Sequence, residues 1–323
     1  HRCNLRCKHC YLDEYAKETS EIYLITVLGR IVEFLKENNG TGVLALTGGE
    51  PLVSPYLFNI LDYAEKEPRI EATMIASNGT LINQETIDKL KKYTKFRAIQ
   101  VSIDGTPETH DSIRGKGAFN KSINAIKLLH ENKIKCSVSF TANRLNYREF
   151  VDVGKIVSEA GADLLWTDRV VPLGDEEKKE DIINNLLMSD EEFSEYIKTI
   201  SEAKKKYSIV SAEREMQFIE IQSGIVHMCL AGIRTFTITA DCELMPCRRL
   251  EENFGSLIDN SISELLTKNK TVIREIHKIP KECFKCKHLK YCRGGAKCMT
   301  HAVYGVYNIP DPNCKYCNRT DKT

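Results

Sequence analysis

The sequence predicts an α/β protein: a partial (β/α)6 barrel of the TIM type that runs on into a smaller, cysteine-rich domain. Three observations predict it. Short, continuously apolar runs alternate with amphipathic helical patterns over residues 20–170, as in a parallel sheet with right-handed crossovers. Glycine-bearing turns close several of these runs, where parallel barrels build their sites. Of thirteen cysteines, three lie in residues 3–10 and nine in residues 229–317, with Cys136 alone between them.

The elements follow in order. "YLITVLGRIVEFL" sets Leu24, Val27, Leu28, Ile31, Phe34 and Leu35 on one helical face. "GVLALTGGEP" reads as a buried strand ending in a glycine turn. A helix near 55–66, a strand near 71–76 and a helix near 84–93, led by Asn83, come next. A strand near 97–102, a helix near 118–131 and a strand near 134–141 continue the alternation. A helix near 147–160 and a strand near 163–170 close it. Presenting the loop at residues 1–11 requires one more strand upstream of His1, which brings the count to six units. Native sequence, with room for a further domain, is therefore expected before His1. "GDEEKKEDIINN" reads as a charged linker, and Ser189 with Glu192 as a capping box opening a helix to about residue 207. A hairpin near 233–247 and a short helix near 261–268 precede a loop-dominated tail. The boundary falls near 210–225, dividing the chain into 1–215 and 216–323.

Composition narrows the class. With 323 residues, 42% hydrophobic and 28% charged, the chain reads as soluble and globular. A net charge of +1 gives no sign of a nucleic-acid surface or a basic membrane patch. No apolar run long enough to span a bilayer and no signal-peptide pattern is present. Small secreted proteins spread disulfides along the chain, whereas two dense ends suit metal ligation in a reducing cytoplasm. Cys136, alone on an expected strand, reads as a core residue, as does Trp166 in "LLWTDRV".

"CNLRCKHC" supplies Cys3, Cys7 and Cys10 with no fourth thiol nearby. Structural zinc closes with four ligands. A cubane iron–sulfur cluster on three cysteines leaves one iron for a partner that is not protein. Three further loops end strands: Gly48-Gly49-Glu50-Pro51, "SNGT" at 77–80 and "VSIDG" at 101–105. Their glycines let a ligand approach the backbone. In "CNLRCKHC" plus "TGGEP" the sequence resembles the radical S-adenosylmethionine (radical SAM) superfamily, over most of residues 1–170. That resemblance implies a [4Fe-4S] cluster on Cys3, Cys7 and Cys10 whose free iron chelates SAM. It implies that Gly48, Gly49 and Glu50 hold the methionine amine and that Tyr11 lies by the adenine. Ser77 and Asn78 stand where relatives contact the ribose, and Ser102 and Arg114 where they hold the SAM carboxylate.

The tail carries Cys229, Cys242 and Cys247, then Cys283, Cys286, Cys292 and Cys298, and finally Cys314 and Cys317. By spacing alone, zinc and iron–sulfur are equally open. The region resembles the SPASM extension of radical SAM enzymes, which implies one or two auxiliary [4Fe-4S] clusters. On that resemblance Cys229, Cys247 and Cys298 hold the first, with Cys242 as a fourth candidate. Cys283, Cys286, Cys292 and Cys314 or Cys317 hold the second, with Cys314 preferred. The family usually has glycine at the position of Cys242, and three residues where five separate Cys292 from Cys298.

The resemblance implies a peptide or protein substrate, with a thioether or related crosslink in a ribosomally made peptide as the leading reaction. It also implies a low-potential electron donor such as flavodoxin or ferredoxin. A haem-pathway tetrapyrrole decarboxylation is an alternative. Anaerobic sulfatase maturation is a weaker one, because Arg248 stands where those enzymes carry aspartate. A non-catalytic zinc-binding module is the rival of a different class.

Overall fold

The structure, a computed structural model, describes residues 2–12, 20–211 and 229–316. At its centre lies an all-parallel six-stranded sheet. Its strands are β1 (Gly42–Leu46), β2 (Ile70–Ser77), β3 (Phe96–Ser102), β4 (Lys135–Ala142), β5 (Leu164–Arg169) and β6 (Val210–Ser211), in sequential order. That order is the open, partial barrel the alternation predicts. The sixth strand, however, is the two-residue β6, too short to leave a sequence signal.

The crossovers carry α1 (Glu21–Glu37), α2 (Leu57–Lys66), α3 (Gln84–Leu90), α4 (Pro107–Arg114), α5 (Ala118–Glu131), α6 (Phe150–Glu159), α7 (Glu176–Asp181) and α8 (Asp190–Lys206). Asn83 caps α3 by accepting from the Thr86 N–H, and the Ser189–Glu192 capping box opens α8 as expected. Two helices of the barrel went unforeseen, as did the helices Lys270–Ile276, Leu289–Cys292 and Lys297–Tyr304 in the tail expected to be loop-dominated. The supposed linker folds into α7, capped by Asp175 and burying no side chain. α4 buries His110 and Arg114 beside Ile113, so its inner face is largely polar.

Strand residues Ile75, Ile99, Val101, Val138, Phe140 and Leu165 pack against Leu61, Ile126, Leu129, Val153 and Ile200 of the helices. Cys136 joins this core, as expected. Strand periodicity sends alternate side chains to the opposite, lumen face. Gln100 and Ser139 meet there, the amide donating to the hydroxyl at 3.0 Å. Trp166 stands in register with Ser139, half-buried between buried Leu165 and Thr167. It therefore belongs to the lumen and not to the apolar core.

The tail folds into a small antiparallel sheet of β7 (Thr237–Ile238), β8 (Glu243–Met245) and β9 (Gly255–Ser256). Four short helices follow: α9 (Ile262–Lys268), α10 (Lys270–Ile276), α11 (Leu289–Cys292) and α12 (Lys297–Tyr304). One face of α1 is buried here: Val27, Ile31 and Phe34 pack with Leu244, Phe254, Leu257 and Leu265. Phe34 meets Phe236 edge-on at 5.8 Å. The expected domain boundary lies outside the described residues. No helix among them is long and apolar enough to cross a membrane.

Candidate active site

Cys3, Cys7 and Cys10 converge at the C-terminal ends of the strands, close enough for the charge of each to act on the others. Backbone hydrogen bonds fix the loop that carries them. Cys10 N–H donates to Cys7 O at 3.0 Å, Lys8 N–H to Ile113 O at 2.9 Å, and Glu50 N–H to Arg2 O at 2.8 Å. All three thiols are free of disulfides. Burial pushes the Cys7 thiol up to about 11, with the Arg114 guanidinium opposing it.

Beside Cys3 lies a unit built on Glu50, only 2% exposed. One carboxylate oxygen accepts from Asn78 N–H at 2.7 Å. The other accepts from the Ser77 hydroxyl at 2.9 Å and Leu52 N–H at 3.1 Å. Asn78 Nδ2 donates to Asn4 Oδ1 at 2.9 Å and lies 4.0 Å from the Cys3 sulfur. Burial raises the Glu50 pKa and these donors oppose it. Gly48, at φ +135°, is exposed, and a Cβ added to it would meet nothing within 4 Å. Gly49 lies half-buried beside it. Glu50 is thus a buried carboxyl held by three donors, with exposed Gly48 two residues before it.

Across the loop, Arg114 is 8% exposed and donates from Nε to Asp104 Oδ2 at 2.5 Å, with Nη1 4.0 Å from the Cys7 sulfur. Asp104 is fully buried, and Oδ1 accepts from Thr141 N–H at 2.7 Å. Its own backbone N–H donates to His110 Nδ1 at 3.0 Å, and His9 Nε2 lies 3.4 Å from Oδ2. Burial pushes the Asp104 carboxyl up, but Arg114 leads the neighbours that bring it below the usual carboxylate range. Burial also drives His9 and His110 down to about 4. Ser102 stays half-buried on the lumen face, 3.4 Å from the Ser139 hydroxyl. The sequence reasoning passed over Asp104, His9 and His110, although "VSIDG" and "HDSIRG" carry two of them alongside Ser102 and Arg114.

The tail cysteines gather in two groups. Cys229, Cys247 and Cys298 act electrostatically on one another. Cys292 does so with Cys314 and Cys283, and Cys286 N–H donates to Cys283 O at 3.0 Å in the same turn. Burial pushes Cys298 up to about 11 and Cys292 to about 12. Arg249 borders the first group; it pairs with Asp168 and donates to Arg169 O at 2.7 Å. Cys242 is 3% exposed in the apolar cluster with Val27, Leu244 and Phe254. Its φ of +62° is left-handed, which explains why glycine is usual there in the family it resembles. Cys317 lies outside the described residues.

One tyrosine joins the two ends of the site. The Tyr11 side chain is raised in pKa by burial and feels Arg248, Cys10, Arg249 and Cys247 together. It also packs on the cluster of Val171, Leu173 and Met299, as Cys298 does.

Residues 1–157 match the Radical SAM superfamily. The chain carries a radical SAM domain. It is 29% identical, over 91% of its length, to the antilisterial bacteriocin subtilosin biosynthesis protein AlbA of Bacillus subtilis, and spans 65% of that relative. It is 25% identical to the AdoMet-dependent heme synthase of Methanosarcina barkeri, with 97% of this chain and 93% of that one covered. Among solved structures, native anSMEcpe with bound AdoMet and Cp18Cys peptide superposes with a TM-score of 0.80. That match covers 98% of this chain and 91% of the other at 22% identity, and shows the fold.

Radical SAM enzymes use a [4Fe-4S] cluster with SAM, and the residues here fit one. The donor set is soft thiol throughout, the iron–sulfur preference. Among the described residues, no group of three or more His, Cys, Asp or Glu side chains is placed to hold a single metal ion. The Glu50 carboxyl, tied through Asn78 to the neighbourhood of the Cys3 sulfur, suits a cationic group of the cosubstrate.

Proposed function

We propose that this radical SAM enzyme modifies a ribosomally made peptide, forming an intrapeptide crosslink of the thioether type. The observation that carries the proposal is Tyr11, next to Cys10 in sequence, whose side chain packs on the same Val171–Leu173–Met299 cluster as Cys298 of the first auxiliary group. A substrate held against it reaches both the SAM site and the first auxiliary group. The subtilosin relative and the peptide-bound structure support the same reading.

In it, Cys3, Cys7 and Cys10 hold the SAM cluster. Gly48, Gly49 and Glu50 receive the methionine amine, Ser77 and Asn78 the ribose, and Tyr11 the adenine. Ser102 and Arg114 receive the carboxylate. A cluster held by Cys3, Cys7 and Cys10 would supply the low-potential electron needed for reductive cleavage of SAM. The chain's own part is orientation and exclusion of water. Asp104 aims Arg114 at the Cys7 side of the site, and Asn78 N–H and Ser77 lock the Glu50 rotamer. Cys229, Cys247 and Cys298 hold a first auxiliary cluster; Cys283, Cys286, Cys292 and Cys314 hold a second.

Anaerobically reconstituted protein, given SAM, dithionite and a cysteine-bearing precursor peptide, should yield 5′-deoxyadenosine and a peptide lighter by two hydrogens per crosslink. The heme synthase relative, matched over 93% of its length, motivates a second reading. An unaltered peptide together with carbon dioxide release from an iron tetrapyrrole would establish that reading instead. Zinc in the tail would sink both.

Two further results are expected. Cys242→Ala should leave auxiliary iron and sulfide unchanged, because that side chain serves a turn and an apolar cluster; loss of iron would make it a ligand. Lys281, Lys285, Lys287, Lys290 and Lys315 are exposed around the second auxiliary group, with Phe284 62% exposed among them. Such a surface favours an acidic carrier of the flavodoxin or ferredoxin kind. Lys285→Glu with Lys287→Glu should slow reduction by that carrier about tenfold or more at low salt, while dithionite-driven turnover stays unchanged. The reducing cytoplasm is the compartment this chemistry requires.

A further inference from the structure

Among the described residues one lysine is buried: Lys297, 3% exposed, at the start of α12. An ammonium taken out of water needs strong compensation. Nζ donates to the backbone carbonyls of Lys278 at 2.8 Å and Tyr307 at 3.0 Å. A Cβ added to Gly294 would lie 3.2 Å from it, so the glycine clears its berth. Tyr307, whose carbonyl it holds, belongs to the cluster on which Cys229, Cys247 and Cys298 of the first group pack. Gly294, against Nζ, is two residues beyond Cys292 of the second. The lysine's charge acts on Cys229, Cys283 and Cys292, and Arg293 is the like charge beside it.

We propose that Lys297 is a fixed positive charge shared by the two auxiliary clusters, holding both at higher reduction potential than their thiolates alone would set. Taking up an electron makes a cluster more negative, so a cation fixed close by in a poorly solvated interior favours the reduced form. The other cations divide differently. Arg249 acts on Cys247 and Cys298 of the first group and is neutralised by Asp168. The surface lysines around the second group are exposed and screened by salt. Only a charge lying between the groups moves the two together.

This inference rests on the proposed reading of the two groups as cluster sites, which iron and sulfide counts on the unaltered protein test separately. The experiment is a potentiometric titration of the anaerobically reconstituted enzyme, followed by electron paramagnetic resonance, with Lys297→Gln and Lys297→Arg beside it. In Lys297→Gln both auxiliary midpoints should fall by at least a tenfold change in reduction equilibrium, about 59 mV for a one-electron couple. The cluster at Cys3, Cys7 and Cys10 should keep its midpoint as an internal reference. Lys297→Arg should retain both auxiliary midpoints. Unmoved midpoints in the glutamine variant, movement of one alone, or an equal fall in the arginine variant would overturn the inference. If the glutamine variant loses auxiliary iron, the arginine variant decides. Full retention there shows that the charge is needed even for assembly, and loss there shows that only the lysine's shape mattered.

Discussion

Cys7→Ala is expected to abolish formation of 5′-deoxyadenosine and to remove one cluster's worth of iron, leaving the auxiliary iron in place. Cys7 is the thiol that burial pushes to about 11, and the Arg114 guanidinium reaches it at 4.0 Å. With the thiolate gone, two cysteines cannot retain a cubane, and Arg114 loses the sulfur it faces. A companion variant sets the scale. Asp104→Asn keeps every ligand but weakens the carboxylate grip on Arg114, now 2.5 Å long. Removing such an outer partner costs about 10–100-fold in affinity or activity. SAM cleavage should therefore survive at a reduced rate, measured by chromatography of deoxyadenosine. Equal rates for the two variants, or near-normal cleavage by Cys7→Ala, would remove Cys7 from the site.

Asp311→Ala is expected to cost about 3–5 kcal/mol in folding stability, the usual penalty for stranding a buried charge. Arg169, 3% exposed at the end of β5, donates to both oxygens of Asp311, 1% exposed, at 3.0 and 2.9 Å. The same carboxylate accepts from Ala296 N–H at 2.9 Å and Asn313 N–H at 3.0 Å. Gly295 packs so tightly on it that an added Cβ would lie 2.3 Å away. One side chain thus ties the barrel to the two stretches carrying Cys292, Cys298 and Cys314. The variant should also lose the second auxiliary cluster, read as iron count alongside the denaturant midpoint. Arg169→Met combined with Asp311→Leu should recover much of the stability, because an apolar pair leaves no charge stranded. Burial pushes Asp311 up, but Arg169 brings it below its ordinary 3.8. Its contribution is therefore complete above about pH 4 and is lost as the solution is acidified through the lower folded-state value.

The sequence made the barrel legible because its core-facing strands are apolar runs and most of its helices carry an apolar face. α5 lies where its pattern put it, at Ala118–Glu131, and α8 begins at its capping box. α4 escaped because "PETHDSIR" buries a histidine and an arginine, and apolar periodicity cannot register a helix whose inner face is polar. β6 escaped because two residues of pairing leave no period. Cysteine spacing marked the three thiol groups, since close ligands in sequence become neighbours through a single turn. The Asp104–Arg114–His9 unit did not show itself, because its members come from three segments and matter only once buried together. Lys297 reads as a solvated cation in any one-dimensional view.

The packing of α1 has a practical consequence for chimeras. A builder who grafts the tail of one relative onto the barrel of another would set Val27, Ile31 and Phe34 against a foreign surface in place of Leu244, Phe254 and Leu257. The helix immediately downstream of the cysteine loop would then be mispacked. Exchange should succeed only when Glu21–Glu37 travels with the tail, which makes that helix part of the inherited cassette despite the 200 or so residues between them.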